Sequence, residues 1–128
     1  MPKLTQASSA GARAGKMPAR YVPDRGDVVW LEFDPQAGHG QAGHRPAVVL
    51  SPRAYNQKSG LALFCPITSR IKGYPFEVVL PLDLPVQGAV LCDQVKSLDW
   101  SARRSRLAVK LPEQILDDVL AKVRALLR

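Results

Sequence analysis

Cysteine, histidine and acidic residues are all scarce in this sequence: two Cys, two His, and 11 Asp and Glu against 18 Lys and Arg in 128 residues. Cys65 and Cys92 belong to no Cys-x-x-Cys pair and the histidines do not cluster, which speaks against a zinc site. Both cysteines are expected as reduced thiols in or near the core. No apolar run approaches the roughly 18 to 20 residues of a membrane-spanning helix. The first twenty residues lack the apolar segment of a secretory signal, so cytoplasmic residence is the expectation. Residues 53 to 73 hold no Asp or Glu at all, and no internal repeat is present.

What is present is an ordinary globular composition, 46% hydrophobic and 23% charged, in a length suited to one core. The formal charge of +7 suggests a polyanionic partner. Its distribution is uneven: residues 1–25 carry five cations and one anion, residues 26–99 six and seven, and residues 100–128 seven and three. A well-solvated basic tail and helix explain such an excess as readily as nucleic acid does.

Eleven prolines and nine glycines punctuate short Val-rich runs, the pattern of brief strands joined by turns. Residues 1–20 are small and basic, without apolar periodicity, and are expected to form a flexible tail ahead of a domain spanning 21–128. Strands are predicted at 28–34, 46–51, 61–67, 76–80 and 88–92, with a late edge strand at 107–110. Pro52 and residues 56–60 are expected to break the chain after the second strand. Spacing this short suggests a small β-barrel. From Pro112 the period changes: Ile115, Leu116, Val119, Leu120, Val123, Leu126 and Leu127 recur at three and four, predicting an amphipathic helix over 112–127 that caps the barrel. Its acidic residues lie toward the positive end of the helix dipole and its basic ones toward the negative end.

Gly38-His39-Gly40-Gln41-Ala42-Gly43 matches a dinucleotide-binding fingerprint, but that motif must open a helix, and here Pro46 and a β-branched run follow. A glycine-rich loop between two strands is the better reading. Where this loop re-enters the sheet stands His44-Arg45-Pro46. The guanidinium there either pairs with a carboxylate such as Glu32 or Asp93 or remains available to an anion. Thr68-Ser69-Arg70 puts hydroxyls and a cation at another strand end, where local capping is the ordinary role. A guanidinium and a hydroxyl together are the parts that hold a phosphate and stabilise charge on its oxygens without a metal. His39 and His44 are either solvated or acid–base groups. Trp30 and Trp100 are core or interface aromatics by default, with base stacking as the alternative. Residues 93–97 either read base edges or tie down a turn.

Tyr21-Val22-Pro23-Asp24, Phe33-Asp34-Pro35, Gln41 through Ser51, Lys72-Gly73-Tyr74-Pro75-Phe76-Glu77 and Asp93-Gln94-Val95-Lys96-Ser97 occur in an order that resembles the MazF/PemK (Kid) toxins of type II toxin–antitoxin modules. The resemblance runs from residue 21 to the end. It implies a mainly β fold, an SH3-like small barrel with a C-terminal amphipathic helix, acting as a homodimer. It further implies a sequence-specific, metal-independent endoribonuclease, with no cofactor, that cuts single-stranded mRNA and is neutralised by a MazE-like antitoxin. Cleavage in such proteins uses the RNA's own 2′-hydroxyl, leaving a 2′,3′-cyclic phosphate and a 5′-hydroxyl.

By the motif match Arg45 is the principal catalytic residue and Thr68 hydrogen-bonds the scissile phosphate. His39, Gln41, His44, Ser69, Arg70, Lys72, Gln94 and Lys96 are candidate RNA contacts. Many relatives carry an acidic residue where this chain has Gly40, and His39 is the expected stand-in. Relatives also begin shortly before Tyr-Val-Pro, which makes Met17 a candidate start. Two other functions compete. A gyrase-poisoning toxin of the same fold ends in Trp-Gly-Ile, whereas this chain ends Leu126-Leu127-Arg128. A non-catalytic RNA-binding or repressor module would bind RNA without breaking it.

Overall fold

The computed structural model describes residues 20–32 and 44–128. These form seven strands and two helices: β1 (Asp27–Glu32), β2 (His44–Val49), α1 (Arg53–Ser59), β3 (Leu61–Thr68), β4 (Glu77–Val79), β5 (Ala89–Leu91), β6 (Lys96–Asp99), β7 (Arg106–Lys110) and α2 (Glu113–Ala125). All pairings are antiparallel, in the order β4-β5-β3-β2-β1-β7, with β6 also on β3. The five expected strands and the late edge strand are present with ends shifted by one or two residues: β3 and β7 run longer than expected, β4 and β5 shorter, and β1 and β2 begin earlier. Among the described residues β4 and β7 terminate the sheet and do not pair, so it is a curled open sheet where a closed barrel was expected.

Both faces of the sheet are covered, which is why β1 and β2 read as nearly continuous apolar runs. Val28, Val48, Cys65, Ile67, Val78 and Val90 face one cluster, completed by Leu80, Val86 and the α2 side chains Ile115, Leu116, Val119, Leu120 and Val123. Val29, Leu31, Ala47, Val49, Ala62 and Phe64 face the other, closed by Trp100, Leu98, Tyr21 and Val22. The helix packs on the sheet as its period predicted, and its Lys122 meets Asp118 at 3.0 Å. The expected stripe ends early: Leu126 and Leu127 lie beyond the helix and are exposed.

Two expectations are corrected. Residues 53–59 form α1 instead of an irregular break; Pro52 precedes its first turn, and Gly60, at φ 77°, ends it in the left-handed region. A seven-residue helix shows too little apolar periodicity to be seen in sequence, and it is held by one buried residue, Asn56. Its side-chain amide donates to Pro23 O at 2.8 Å and Ser51 O at 3.0 Å, and its Oδ1 accepts from Ser51 Oγ at 2.6 Å. Its carbonyl accepts from Trp100 Nε1 at 2.9 Å. The second correction concerns residues 93–97, where only the first part is a turn. Lys96 already belongs to β6 and lies opposite Phe64.

Asp27 is buried to 2% exposure at the start of β1 and fully engaged: it accepts from the Tyr21 hydroxyl, from Asp24 N at 3.0 Å and from Lys110 Nζ at 2.8 Å. Burial and this hydrogen bond push the Tyr21 phenol well above its ordinary range.

Cys65 and Cys92 are free and buried, as expected. Burial first, then nearby negative charge, raises Cys65 to about 12; burial raises Cys92 to about 11. Both are acids whose neutral form the fold protects. Their contribution to stability is complete below the unfolded thiol value near 9.0 and is lost as pH rises through about 11 and about 12. A thiol reagent at pH 8 should leave both unmodified in the native protein and titrate two thiols once denaturant is added; modification of native protein at the unfolded rate would contradict this burial.

Candidate RNA-cleavage site

Strand register builds the site. On β2 and β3, Ala47 faces Pro66, Val48 faces Cys65 and Val49 faces Phe64. Continuing that register brings Arg45 opposite Thr68, at the start of one strand and the end of the other. Leu31 of β1 backs Arg45, and Ala89 of β5 lies beside Thr68. The far edge of β3 carries β6 along its first half and β5 along its second. The turn joining them, with Gln94 N bonded to Leu91 O at 3.1 Å, therefore lies at the same edge. Gln94 and Lys96 thereby join Thr68.

The result is an open groove of about 710 Å³, lined by Arg45, Thr68, Ser69, Arg70, Gln94 and Lys96 among polar residues. Its walls are apolar, from Trp30, Pro46, Pro66, Pro85 and Leu91 among others. Among the described residues three cations and no carboxylate line it. An adjoining hollow of about 200 Å³ shares Thr68, Arg70, Leu91 and Gln94 and adds Lys72, Tyr74, Phe76, Glu77 and Asp93. The strip between β3 and β4 is set by Glu77, whose carboxylate accepts from Lys72 N at 3.1 Å and Gly73 N at 2.8 Å. Lys72 Nζ lies 5.8 Å from the Tyr74 ring centroid.

Seven of the ten residues singled out in sequence thus line two connected hollows. Among the described residues Arg45 makes no ion pair within 4.0 Å, so neither Glu32 nor Asp93 neutralises it. Thr68 does cap locally, its Oγ1 accepting from Arg70 N at 3.1 Å. That bond uses the oxygen as acceptor and leaves the O–H to donate outward. His44 stands apart from the groove; it is the register partner of Glu32, with Nε2 3.7 Å from the carboxylate. His39 and Gln41 lie outside the described residues. Among the described residues no three His, Cys, Asp or Glu side chains converge as a metal ion requires.

Sequence reasoning missed three contributors. Tyr74 is an exposed aromatic in the second hollow, and its place in a Gly-Tyr-Pro turn was the available signal. Trp30, a core or interface aromatic by default with base stacking as the alternative, is half-buried and forms a groove wall. Gly88 was unremarkable in sequence, yet its φ is 125° and a Cβ there would lie 2.2 Å from the Thr68 carbonyl oxygen. Backbone approaches backbone here, so the end of β3 keeps its place only with glycine opposite. Gly88→Ala should lower the melting temperature by several degrees and reduce RNA cleavage together, because the displaced segment carries Thr68. Wild-type values for both would show that this close approach does not position the site.

The sequence pattern of PemK-like, MazF-like toxins of type II toxin–antitoxin systems matches residues 24–127. The chain is 50% identical over 111 residues to the endoribonuclease toxin MazF of Escherichia coli K12, covering 87% of this chain and 99% of that protein. It is 34% identical over 110 residues to the E. coli endoribonuclease PemK, covering 81% of each. Among solved structures, a MazE–MazF complex from Deinococcus radiodurans superposes with a TM-score of 0.76 at 50% identity, over 84% of this chain and 97% of that one. With the pattern spanning nearly all of the described residues, the chain belongs to the PemK-like, MazF-like toxins of type II toxin–antitoxin systems.

Proposed function

We propose that the protein is the toxin of such a pair, a sequence-specific endoribonuclease that cuts single-stranded mRNA in this groove without a metal or cofactor. The observation that carries this reading is an arginine that makes no ion pair among the described residues, placed by strand register opposite a threonine hydroxyl in a groove whose charged side chains, among those described, are all cations. The 2′-oxygen attacks phosphorus while the bond to the 5′-oxygen breaks, giving a 2′,3′-cyclic phosphate and a 5′-hydroxyl. The proton lost by the first oxygen balances the one gained by the second. Negative charge grows on the non-bridging oxygens, where the Arg45 fork and the Thr68 O–H stabilise it. Ser69, Arg70, Lys72 and Lys96 hold flanking phosphates, and Gln94 offers an amide to a base edge. His44, His39 and Gln41 belong to the same reading as loop-side contacts.

In this reading residues 21–128 are the toxin domain and 1–20 a basic tail. The open sheet, with α2 packed on the cluster at one of its faces, is read as an unclosed relative of the SH3-like small barrel. The family and the solved MazE–MazF relatives support a MazE-like antitoxin as partner. Exposed Ile71, Val79 and Leu82 around a shallow hollow beside the groove suit a homodimer interface. No helix among the described residues is long and apolar enough to cross a membrane, and the cytoplasm, where mRNA is found, is the proposed location.

The test is to incubate the protein with a long mixed-sequence RNA in EDTA and map new 5′-hydroxyl ends. Cuts at one recurring short motif are expected. RNA retained on a gel but left whole would instead favour a binding module.

A further inference from the structure

A separate hollow of about 220 Å³ lies between the amino-terminal segment and the turn joining β6 to β7, lined by Arg20, Tyr21, Trp100, Ser101, Arg104 and Ser105. None of these residues lines the groove. Two of its polar groups are already used: the Tyr21 hydroxyl donates to Asp27, and Trp100 Nε1 donates to Asn56 O at 2.9 Å. The groups that remain are two guanidiniums and two serine hydroxyls, which are the donors a phosphate takes. Among the described residues no carboxylate lines the hollow. Glu32 reaches Arg104 Nε only at 4.0 Å and is also shared with His44 at 3.7 Å.

The backbone adds an independent observation. Arg104 has φ 54° and is the one non-glycine residue with positive φ among the described residues. The turn that forces this is tied by Arg103 N to Asp99 O at 3.2 Å, Arg104 N to Ser101 O at 3.0 Å and Ser105 N to Trp100 O at 3.1 Å. Glycine satisfies such a position without strain, so local conformation does not account for an arginine there. What the arginine supplies is a long, exposed guanidinium at the rim of a hollow that already holds Arg20.

We infer that this hollow is a second phosphate site, which takes a backbone phosphate of the RNA outside the segment held in the groove. The inference rests on the ribonuclease reading for the identity of its ligand, and a free inorganic phosphate is the other source of the same chemistry. Occupancy by RNA adds one or two phosphates to those held in the groove and so steepens the salt dependence of binding to long RNA alone.

The test compares wild type with Arg104→Gly and with Arg20→Gln. Glycine suits the φ at residue 104, so the first variant keeps its fold, checked by a melting temperature at or above that of wild type. Binding of long and short 2′-O-methyl RNA, which lacks the attacking hydroxyl, is measured across a salt series. For long RNA each variant should flatten the slope of log affinity against log salt by about 0.7 for each phosphate no longer neutralised. Binding of short RNA, and cleavage of its unmodified form, should not change. Arg104→Lys should restore the slope in part.

In parallel, thermal stabilisation by inorganic phosphate is measured in all three proteins, a readout that needs no ribonuclease activity. Loss of phosphate stabilisation in the variants with an unchanged RNA slope would overturn RNA as the occupant and assign the hollow to a free anion. Unchanged slope and unchanged phosphate response would overturn the site altogether. If wild type neither binds nor cuts RNA, the ribonuclease reading fails by itself, whatever the phosphate arm shows.

Discussion

Replacing Arg45 with alanine should reduce RNA cleavage by about 10² to 10³-fold while leaving the melting temperature nearly unchanged. The magnitude follows from what the guanidinium does in the proposed step: it stabilises charge that is greater in the transition state than in bound RNA, so its loss falls on the rate more than on affinity. The neutrality toward folding follows from its surroundings. Arg45 is exposed at the start of β2, with no ion pair to break among the described residues and with its neighbours Leu31 and Ala47 buried beneath the sheet surface. Arg45→Lys separates two roles. A lysine keeps the charge but not the planar fork, so it should recover RNA binding and little of the rate. Near-native cleavage by Arg45→Lys, read as initial rate on an oligonucleotide containing the mapped motif, would mean that a point charge suffices and that bidentate contact is not part of the mechanism.

The second large effect concerns stability. Asn56→Ala should destabilise the fold by about 3 kcal/mol or more, measured by urea denaturation, without touching the groove. Asn56 is 0% exposed, and its amide joins Pro23 of the amino-terminal segment to Ser51 after β2. Ser51 Oγ in turn accepts from Leu63 N at 2.9 Å, so the network reaches the third strand. Truncation leaves the carbonyls of Pro23 and Ser51 without this donor in a site closed to water, and each such loss costs about 1–3 kcal/mol. Asn56→Asp keeps the shape but replaces two N–H donors by an acceptor, and should be at least as damaging. A loss below about 1 kcal/mol for Asn56→Ala would mean that water enters and takes over the bonds. Because α1 does not line the groove, cleavage by folded Asn56→Ala at low temperature should match wild type.

The parts of the molecule legible in sequence are those set by local pattern. The Val-rich runs of β1, β2 and β3 and the three-and-four spacing of α2 report burial directly, and the structure covers both faces of those strands. Arg45, Thr68 and the basic residues after it were legible because strand ends carrying cations and hydroxyls are chemically distinct from the strands themselves. What stayed hidden depends on partners far along the chain. α1 is held by one buried residue, Asn56, whose side-chain amide reaches back to Pro23 and whose backbone carbonyl accepts from Trp100 Nε1, which no window of residues 53–59 reveals. The start of β6 at Lys96 exists because β3 offers its edge there, and its Lys-Ser pair has little strand character of its own. The openness of the sheet could not be read either, since closure turns on whether β4 and β7, with short and polar ends, meet in space.

The pairing of β1 with β7 has a bearing on how such a protein is made. Asp27 lies opposite Lys110, and Val28 opposite Val109, so the first strand of the sheet receives its outer neighbour from near the end of the chain. During synthesis β1 and β2 can meet early, but one edge of β1 and the core face later covered by α2 stay bare until residues 106–125 emerge. A chain interrupted before residue 106 lacks β7 and α2 and exposes an unpaired strand edge beside a wet apolar face. Until residues 106–125 have been made, Trp30 of the groove wall lacks its β7 neighbour, and a fragment released before that point is matter for proteases before it can act as a nuclease.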